Sequence, residues 1–273
     1  MLAAQTDSAP VLICGAAGTG RNSIASWIHA NGPRAARAFV NAQRDLSLAD
    51  QLPEAQGGTL VIPEIGEWPL GEQKILDTFL STKSIPHPTS GGGMKMLLNV
   101  RIICTSSQGL EGRAQGGLFN PDLFKKLAVF RLDMPSLAKR GDEFEDIALG
   151  IMGEITHELH KEHLKALSAE TLQRLKDHEW PGNLRELRNV LKMAVVAAKG
   201  DRIEVSDLPD LTDGKIDFRA SRENFERIYI TELLKSSNWD IERASQMSRM
   251  NREVLMAKIQ KHRIELPKPT SHA

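Results

Sequence analysis

A four-residue apolar run, Val11-Leu12-Ile13-Cys14, leads directly into the glycine loop "GAAGTGRN", Gly15 to Asn22. Behind it, Ile24, Ala25, Trp27 and Ile28 recur at helical spacing and give the following segment an apolar face. A strand, a glycine turn and a helix in that order open an α/β unit. The turn's backbone N–H groups and the helix N-terminus then face one point and suit an anion. The spacing is that of the phosphate-cradling pattern G-x-x-x-x-G-K-[ST], with Arg21 where the lysine belongs. Arginine keeps the charge, but its planar fork is longer and differently hydrated, so the exchange is not conservative. Two readings of Gly15, Gly18, Thr19, Gly20, Arg21 and Asn22 stay open: a retained turn with weak or no nucleotide binding, or a loop that still holds nucleotide.

Further strand-like runs follow: "AFVNA" (38–42), "GGTLVIPEIG" (57–66), Val100 to Cys104 behind a glycine hairpin in "SGGGMKMLLNVRIICTSS" (90–107), and "LAVFRLDM" (127–134). Between them "EQKILDTFL" (72–80) is amphipathic and helical. Strands alternating with helices argue for an α/β fold, a mostly parallel sheet with helices on both faces. After Pro135 the pattern is wholly helical. Asp142 to Leu164 carries one or two helices, Ser168 is an N-cap candidate, and "WPGNLRELRNVLKMAVVAA" (180–198) places Asn183 before a long helix. "LPDLTDGKIDF" (208–218) reads as a linker, and the last ~50 residues as a separate all-α unit.

With 35 basic and 35 acidic residues the formal net charge is zero, so a polyanion must be met by a local patch. No apolar run approaches the ~20 residues of a membrane span. The start, MLAAQTDSAP, lacks the basic and apolar segments of a signal peptide. Cys14 and Cys104 lie in strand-like runs and read as buried, reduced thiols, which with the missing leader implies a cytoplasmic protein. His157, His160 and His163 in "HELHKEH" read as a solvated helix face, because the zinc pattern H-E-x-x-H is absent.

The third strand bears on hydrolysis. Hydrolysing P-loop enzymes end this strand with an aspartate that helps hold Mg²⁺. Here Pro63 precedes Glu64, and proline offers neither a carboxylate nor an N–H.

"GGTLVIPEIGEWPL", "VRIICTSSQGLEG", "DLFKKLAVFRLDMPSLAKRGDEFEDIAL" and "WPGNLRELRNVLKMAV", in that order, resemble the central AAA+ domain of bacterial enhancer-binding proteins, the NtrC-type activators of sigma-54 RNA polymerase. The resemblance covers about residues 8–210, and the tail resembles their Fis-type helix-turn-helix. It implies a P-loop AAA+ sheet domain over 1–138, a helical lid over 139–210, a linker over 211–220 and a DNA-binding domain over 221–273. It also marks departures. Arg21 replaces the loop lysine, Pro63 the Mg²⁺ aspartate and Ser107 the sensor-one asparagine. Asn120 and Lys126 stand at the two arginine fingers, which are worth ~10³–10⁵ in rate where present. Glu64 and the sensor-two residue, Arg185, are kept. The sigma-54 contact loop with its G-A-F-T-G-A has no counterpart, since Asn41 to Gly57 leaves no room for it.

In the tail, Phe225, Ile228, Leu233 and Leu234 give one helix an apolar stripe. "DIERASQM" (240–247) and "NREVLMAKIQKHRI" (251–264) give two more, with Ala244, Met247, Leu255 and Ile259 as their seam and Asn251 as an N-cap. Two short helices in tandem, the second basic, suit a helix-turn-helix. Arg252 is placed for a base edge, Lys258 and Lys261 for phosphate, and His262, Arg243 and Arg249 add charge nearby. A solvated hairpin serving dimerisation alone is the competing reading. Departures from the family pattern are Arg249 at the turn glycine, Ser248 at an apolar position and Glu253 on the second helix.

The expectation from sequence is a DNA-binding transcriptional regulator on a catalytically degenerate AAA+ scaffold, not an enzyme. It would work without the sigma-54 contact loop, as a homodimer or higher homo-oligomer on double-stranded DNA, with RNA polymerase or a regulator protein as a further partner. The sequence assigns no certain cofactor; ATP or ADP held without hydrolysis fits. The alternatives are an interaction protein that joins and modulates a true enhancer-binding protein, and an active ATPase with displaced catalytic residues. About ten residues precede the first strand where the family usually carries a sensory domain, so control by abundance or a partner is expected.

Overall fold

The computed structural model describes residues 2–86, 95–209, 211, 226–227, 229–231, 233–248, 250–264 and 266. They divide into two compact units, Met1–Arg140 with Gly182–Arg185, and Gly141–Pro181 with Glu186–Ala273.

The first unit is built on strands β1 (Val11–Cys14), β2 (Phe39–Asn41), β3 (Thr59–Ile62), β4 (Ser84–Pro86), β5 (Lys95–Leu97), β6 (Arg101–Ser106) and β7 (Arg131–Asp133). Five of them form a parallel sheet in the order β2-β3-β6-β1-β7, with Leu12 opposite Cys104 and Leu60 opposite Ile102. β4 and β5 pair antiparallel as a separate ribbon, as the glycine hairpin implied; 87–94 between them lie outside the described residues. Strand alternation splits the core into two layers. Leu12, Leu60, Ile62, Ile102 and Cys104 pack with Leu76 and Phe79, whereas Val11, Ile13, Val61 and Ile103 pack with Ala25 and Ile28. Both sheet faces are covered, which is why β1, β3 and β6 read as continuous apolar runs. Each such fully buried aliphatic side chain contributes about 1.5–3 kcal/mol.

The helices of this unit include α1 (Leu2–Gln5), α2 (Arg21–Ala30), α3 (Leu48–Gln51), α4 (Leu70–Thr82), α5 (Leu110–Gln115) and α6 (Pro121–Leu127). Between β2 and β3 stand only α3 and the 3₁₀ turn Pro53–Ala55 as regular elements. Two expectations change here. Trp27 is 47% exposed, so the buried stripe of α2 runs through Ala25 and Ile28. Leu127 closes α6 and Ala128–Phe130 is a 3₁₀ turn, so the last strand is limited to β7. Proline at the start of α6 and the Asn120 cap nucleate a helix that competes with the strand pattern.

The second unit carries α7 (Phe144–Glu158), α8 (Ala169–Lys176), most of α9 (Asn183–Ala197), and a two-stranded parallel pair, Ala166–Leu167 with Arg202–Ile203. Ser168 caps α8, its Oγ accepting from the Thr171 N–H at 3.2 Å. α7 stops at Glu158, and His160 takes a left-handed backbone, so the three histidines do not share a helix face. Among the described residues no group of three or more His, Cys, Asp or Glu side chains could hold a metal. No helix among them is long and apolar enough to cross a membrane. Both cysteines are free thiols; Cys104 is buried as expected, whereas Cys14 is only partly buried.

The C-terminal part has helical residues at 226–227, 229–231 and 233–236, then the helices Ile241–Ser248 and Arg252–Lys261. Ile230, Leu233, Leu234, Ala244, Leu255 and Ile259 form their common core. Met247, expected in the seam, is 52% exposed. Phe225, Ile228 and Arg249 lie outside the described residues, as does 212–220 of the expected linker.

Candidate functional site

The glycine loop sits at the carboxyl end of β1, an interior strand between β6 and β7, where a parallel sheet delivers ligand-facing turns. Gly18 and Gly20 have φ of 80° and 93°, a left-handed region that favours glycine. Gly18 also passes so close to Gly182 that a Cβ there would stand 2.1 Å from the Gly182 carbonyl oxygen. Thr19 is buried and its hydroxyl turns back to the Ala16 carbonyl at 2.9 Å. Asn22 is exposed on the first turn of α2. Gly20, the N-cap of α2, supplies no side-chain acceptor, so the first-turn N–H groups of a ten-residue helix keep their capacity for an anion.

Arg21 reaches Glu64. Its Nη2 donates to Glu64 Oε1 at 2.5 Å, and its side chain is 9% exposed against 31% for Glu64. Glu64 holds a left-handed backbone at φ 48° just beyond β3. Its other oxygen, Oε2, accepts from the Ser107 N–H at 2.7 Å and from the Ser107 Oγ at 2.9 Å. Burial alone would raise this carboxyl; the hydrogen bonds from Arg21 and Ser107 outweigh it and hold the group below the usual carboxylate range. Both carboxylate oxygens are therefore engaged by the protein, and the loop's own cation is neutralised by it. Pro63 contributes a carbonyl to the Trp68 Nε1–H at 2.8 Å and no ligand to a metal. The loop fits a phosphate; the end of β3 does not fit Mg²⁺.

The two finger positions are consumed within the fold. Asn120 caps α6, accepting from the Asp122 and Leu123 N–H groups at 2.9 and 3.2 Å. Lys126 donates to Asp77 Oδ1 at 2.6 Å and to Ser81 Oγ at 2.5 Å on α4. Arg185 is exposed, and its Cβ lies 3.4 Å from the Cβ that Gly18 lacks, beside the loop as the resemblance implied. Sequence reasoning missed two further residues. Arg140 Nη2 donates to the Thr19 carbonyl at 3.2 Å. Asn183, 2% exposed, donates to the Ala17 carbonyl at 3.0 Å and accepts from the Leu137 N–H at 2.8 Å. The sequence offers it as a cap ahead of a long helix; α9 instead begins at Asn183, and its amide ties the loop to the chain beyond β7. No local spacing signals either contact, since both span more than 100 residues.

In the C-terminal helices Asn251 caps the second helix, accepting from the Glu253 N–H at 3.1 Å. Arg252 begins that helix with its side chain 67% exposed, 3.7 Å from Glu242. Arg243 is exposed on the first helix. Lys258, Lys261 and His262 instead converge on one carboxylate, Glu226. Lys258 forms an ion pair with it, Lys261 Nζ lies at 3.3 Å and His262 Nε2 at 2.8 Å. The Lys258 hydrogen bond, against the opposing effect of burial and aided by His262 and Lys261, holds Glu226 down at about 2. His262 has only 6% of its side chain exposed. The basic end of this helix is thus partly spent internally, and the outward cations stand at its start.

A Sigma-54 interaction domain model matches residues 1–137, an AAA+ ATPase lid domain model residues 138–223, and a bacterial regulatory protein, Fis family model residues 221–262. The regulatory protein LuxO of Vibrio cholerae is 31% identical over 229 residues, 76% of this chain and 50% of its own. The transcriptional regulatory protein GlrR of Escherichia coli is 29% identical over 293 residues, 97% of this chain and 65% of its own. The DNA-binding transcriptional regulator NtrC of Salmonella typhimurium is 32% identical over 225 residues, 74% and 47%. The chain spans about half to two thirds of the length of these relatives. The crystal structure of NtrX from Brucella abortus in complex with ATP superposes with a TM-score of 0.65 at 26% identity, covering 96% of this chain and 65% of that one; the same protein was also crystallised with ADP. The sheet domain, the helical lid and the C-terminal helix pair follow one another in the order of these matches, with the lid model running to residue 223, through the expected linker. The chain belongs to the Sigma-54 interaction domain family, with the AAA+ domain, lid and Fis-type helix-turn-helix architecture of the NtrC-type enhancer-binding proteins.

Proposed function

We propose that this chain is a DNA-binding transcription regulator whose AAA+ domain holds its fold without hydrolysing ATP. The observation that carries this reading is the closed triad Arg21–Glu64–Ser107 beside Pro63. A hydrolytic site needs a free cation for the phosphates, a carboxylate for Mg²⁺ and an acceptor to orient water. Here the cation and the acceptor satisfy each other, and the metal carboxylate is a proline. The inward-folded Asn120 and Lys126 leave nothing at those positions to reach a neighbour's phosphate. ATP or ADP bound in the loop would then serve as a structural ligand. With only α3 and a 3₁₀ turn between β2 and β3, the sigma-54 contact loop has no place there, and regulation would proceed without remodelling that polymerase.

The C-terminal helices supply the DNA contact in this account, with Arg252 at a base edge and Arg243 on phosphate, in a cytoplasmic homodimer or larger homo-oligomer on a two-fold operator. The test is genome-wide mapping of bound DNA, followed by titration of the recovered duplexes. Binding that weakens by about 1–3 kcal/mol in Arg252→Ala supports the reading. Wild-type protein that shifts no recovered duplex at moderate salt overturns it.

The inward-folded finger positions favour a second reading as well. A copy that entered a ring of an active enhancer-binding protein would deprive its neighbour of both fingers. Co-purification with such a homologue, with no DNA shift, would favour that reading.

A further inference from the structure

The glycine loop and the end of β3 disagree about what they can hold, and the disagreement identifies a ligand class. The loop keeps the uncapped N-terminus of α2. Beside it Arg21 has a second, independent feature: its side chain is more than nine-tenths buried, and its Nη1 has no hydrogen-bond partner. A buried guanidinium N–H without an acceptor is destabilising, and an oxyanion at the loop would remove that cost. Two further cations stand at the loop, Arg140 on the Thr19 carbonyl and exposed Arg185 beside Gly18. The carboxylate bonded to Arg21, Glu64, has both oxygens occupied, and residue 63 is proline.

The geometry points to a metal-free phosphate site: the loop takes a di- or triphosphate group without Mg²⁺, held by the loop N–H groups and by Arg21 Nη1, the donor that the ion pair with Glu64 leaves unused, with Arg140 and Arg185 nearby as the cations. This rests on the reading of the loop as a non-hydrolytic phosphate site. Arg21 splits its donors, Nη2 to Glu64 and Nη1 to a phosphate oxygen. Arg140 and Arg185 balance the remaining negative charge. Mg²⁺ has no protein carboxylate to anchor it and, by masking the phosphate oxygens, competes with the arginines.

The experiment titrates the full chain with ADP, ATP and inorganic pyrophosphate by calorimetry and thermal shift, each in EDTA and in excess Mg²⁺. Saturable binding that is as tight or tighter in EDTA is expected. Arg21→Gln should weaken it about tenfold or more, since a charge-assisted hydrogen bond is lost. If Arg21→Gln does not fold, the comparison of EDTA with Mg²⁺ on the natural chain decides. Binding of all three ligands assigns the site to the phosphate group alone; binding of ADP and ATP without pyrophosphate assigns it to a nucleotide. Binding that requires Mg²⁺, or none by any ligand in either buffer, overturns the inference. Neither result touches the DNA-binding reading, which is tested on duplex DNA; the non-hydrolytic reading fails instead if the chain releases phosphate from ATP.

Discussion

Glu64→Gln is the perturbation that reads the central ion pair most cleanly. Glutamine keeps the shape and can still accept from Ser107, but leaves Arg21 charged and buried with no counter-charge. Breaking a fully buried pair from one side costs about 3–5 kcal/mol. Glu64 is 31% exposed, so solvent reduces this, and about 2–3 kcal/mol is expected. At about 2–4 °C per kcal/mol for a domain of this size, Tm should fall by roughly 5–10 °C. Arg21→Gln alone should cost a similar amount, and the double variant less than the sum, with a coupling of about 1–3 kcal/mol. Urea titration and thermal melts of the four proteins complete the cycle. The pH dependence has a definite sign. Because the folded carboxyl is held below its ordinary range, the pair's contribution is present above the unfolded value of about 4.3 and is lost as pH falls through the folded one. The wild-type advantage over Glu64→Gln should therefore shrink on acidification below that range. Additive single losses, or a Tm change under about 1 °C in Glu64→Gln, would refute the view that these two groups neutralise each other.

Two other outcomes follow from the geometry. Glu226→Gln frees Lys258 and Lys261 from their shared carboxylate; duplex DNA should bind roughly threefold to tenfold tighter, and the slope of log K against log salt should steepen by about 1, measured by fluorescence anisotropy across a salt series. Arg101 at the start of β6 is fully buried with Nε and Nη1 unpartnered, though its Nη2 reaches the Ala3 carbonyl; Arg101→Met should leave stability within about 1 kcal/mol or raise it, read by urea denaturation.

The sheet was legible because its central strands are buried on both faces, so β1, β3 and β6 announce themselves as apolar runs bounded by glycine. The loop was legible because glycine spacing encodes backbone geometry directly. The identity of residues 21 and 63 showed what chemistry was missing, but not that Arg21 and Glu64 would find each other across 43 residues of chain. Likewise, the basic character of the last helix suggested phosphate contacts. The carboxylate that engages three of its side chains sits 32 to 36 residues earlier, on a different helix. Asn183 and Arg140 were invisible for the same reason: tertiary hydrogen bonds have no local period. Trp27 failed in the other direction, since helical spacing allots it to the apolar face although that side of α2 is not covered.

If Arg21 and Glu64 are spent on each other, this loop does not cleave ATP. The decisive measurement is phosphate release by the full chain with ATP and Mg²⁺, with and without duplex DNA. The expected result is a rate indistinguishable from that of Glu64→Gln measured in parallel. Turnover that rises with protein concentration and vanishes in Glu64→Gln would contradict it.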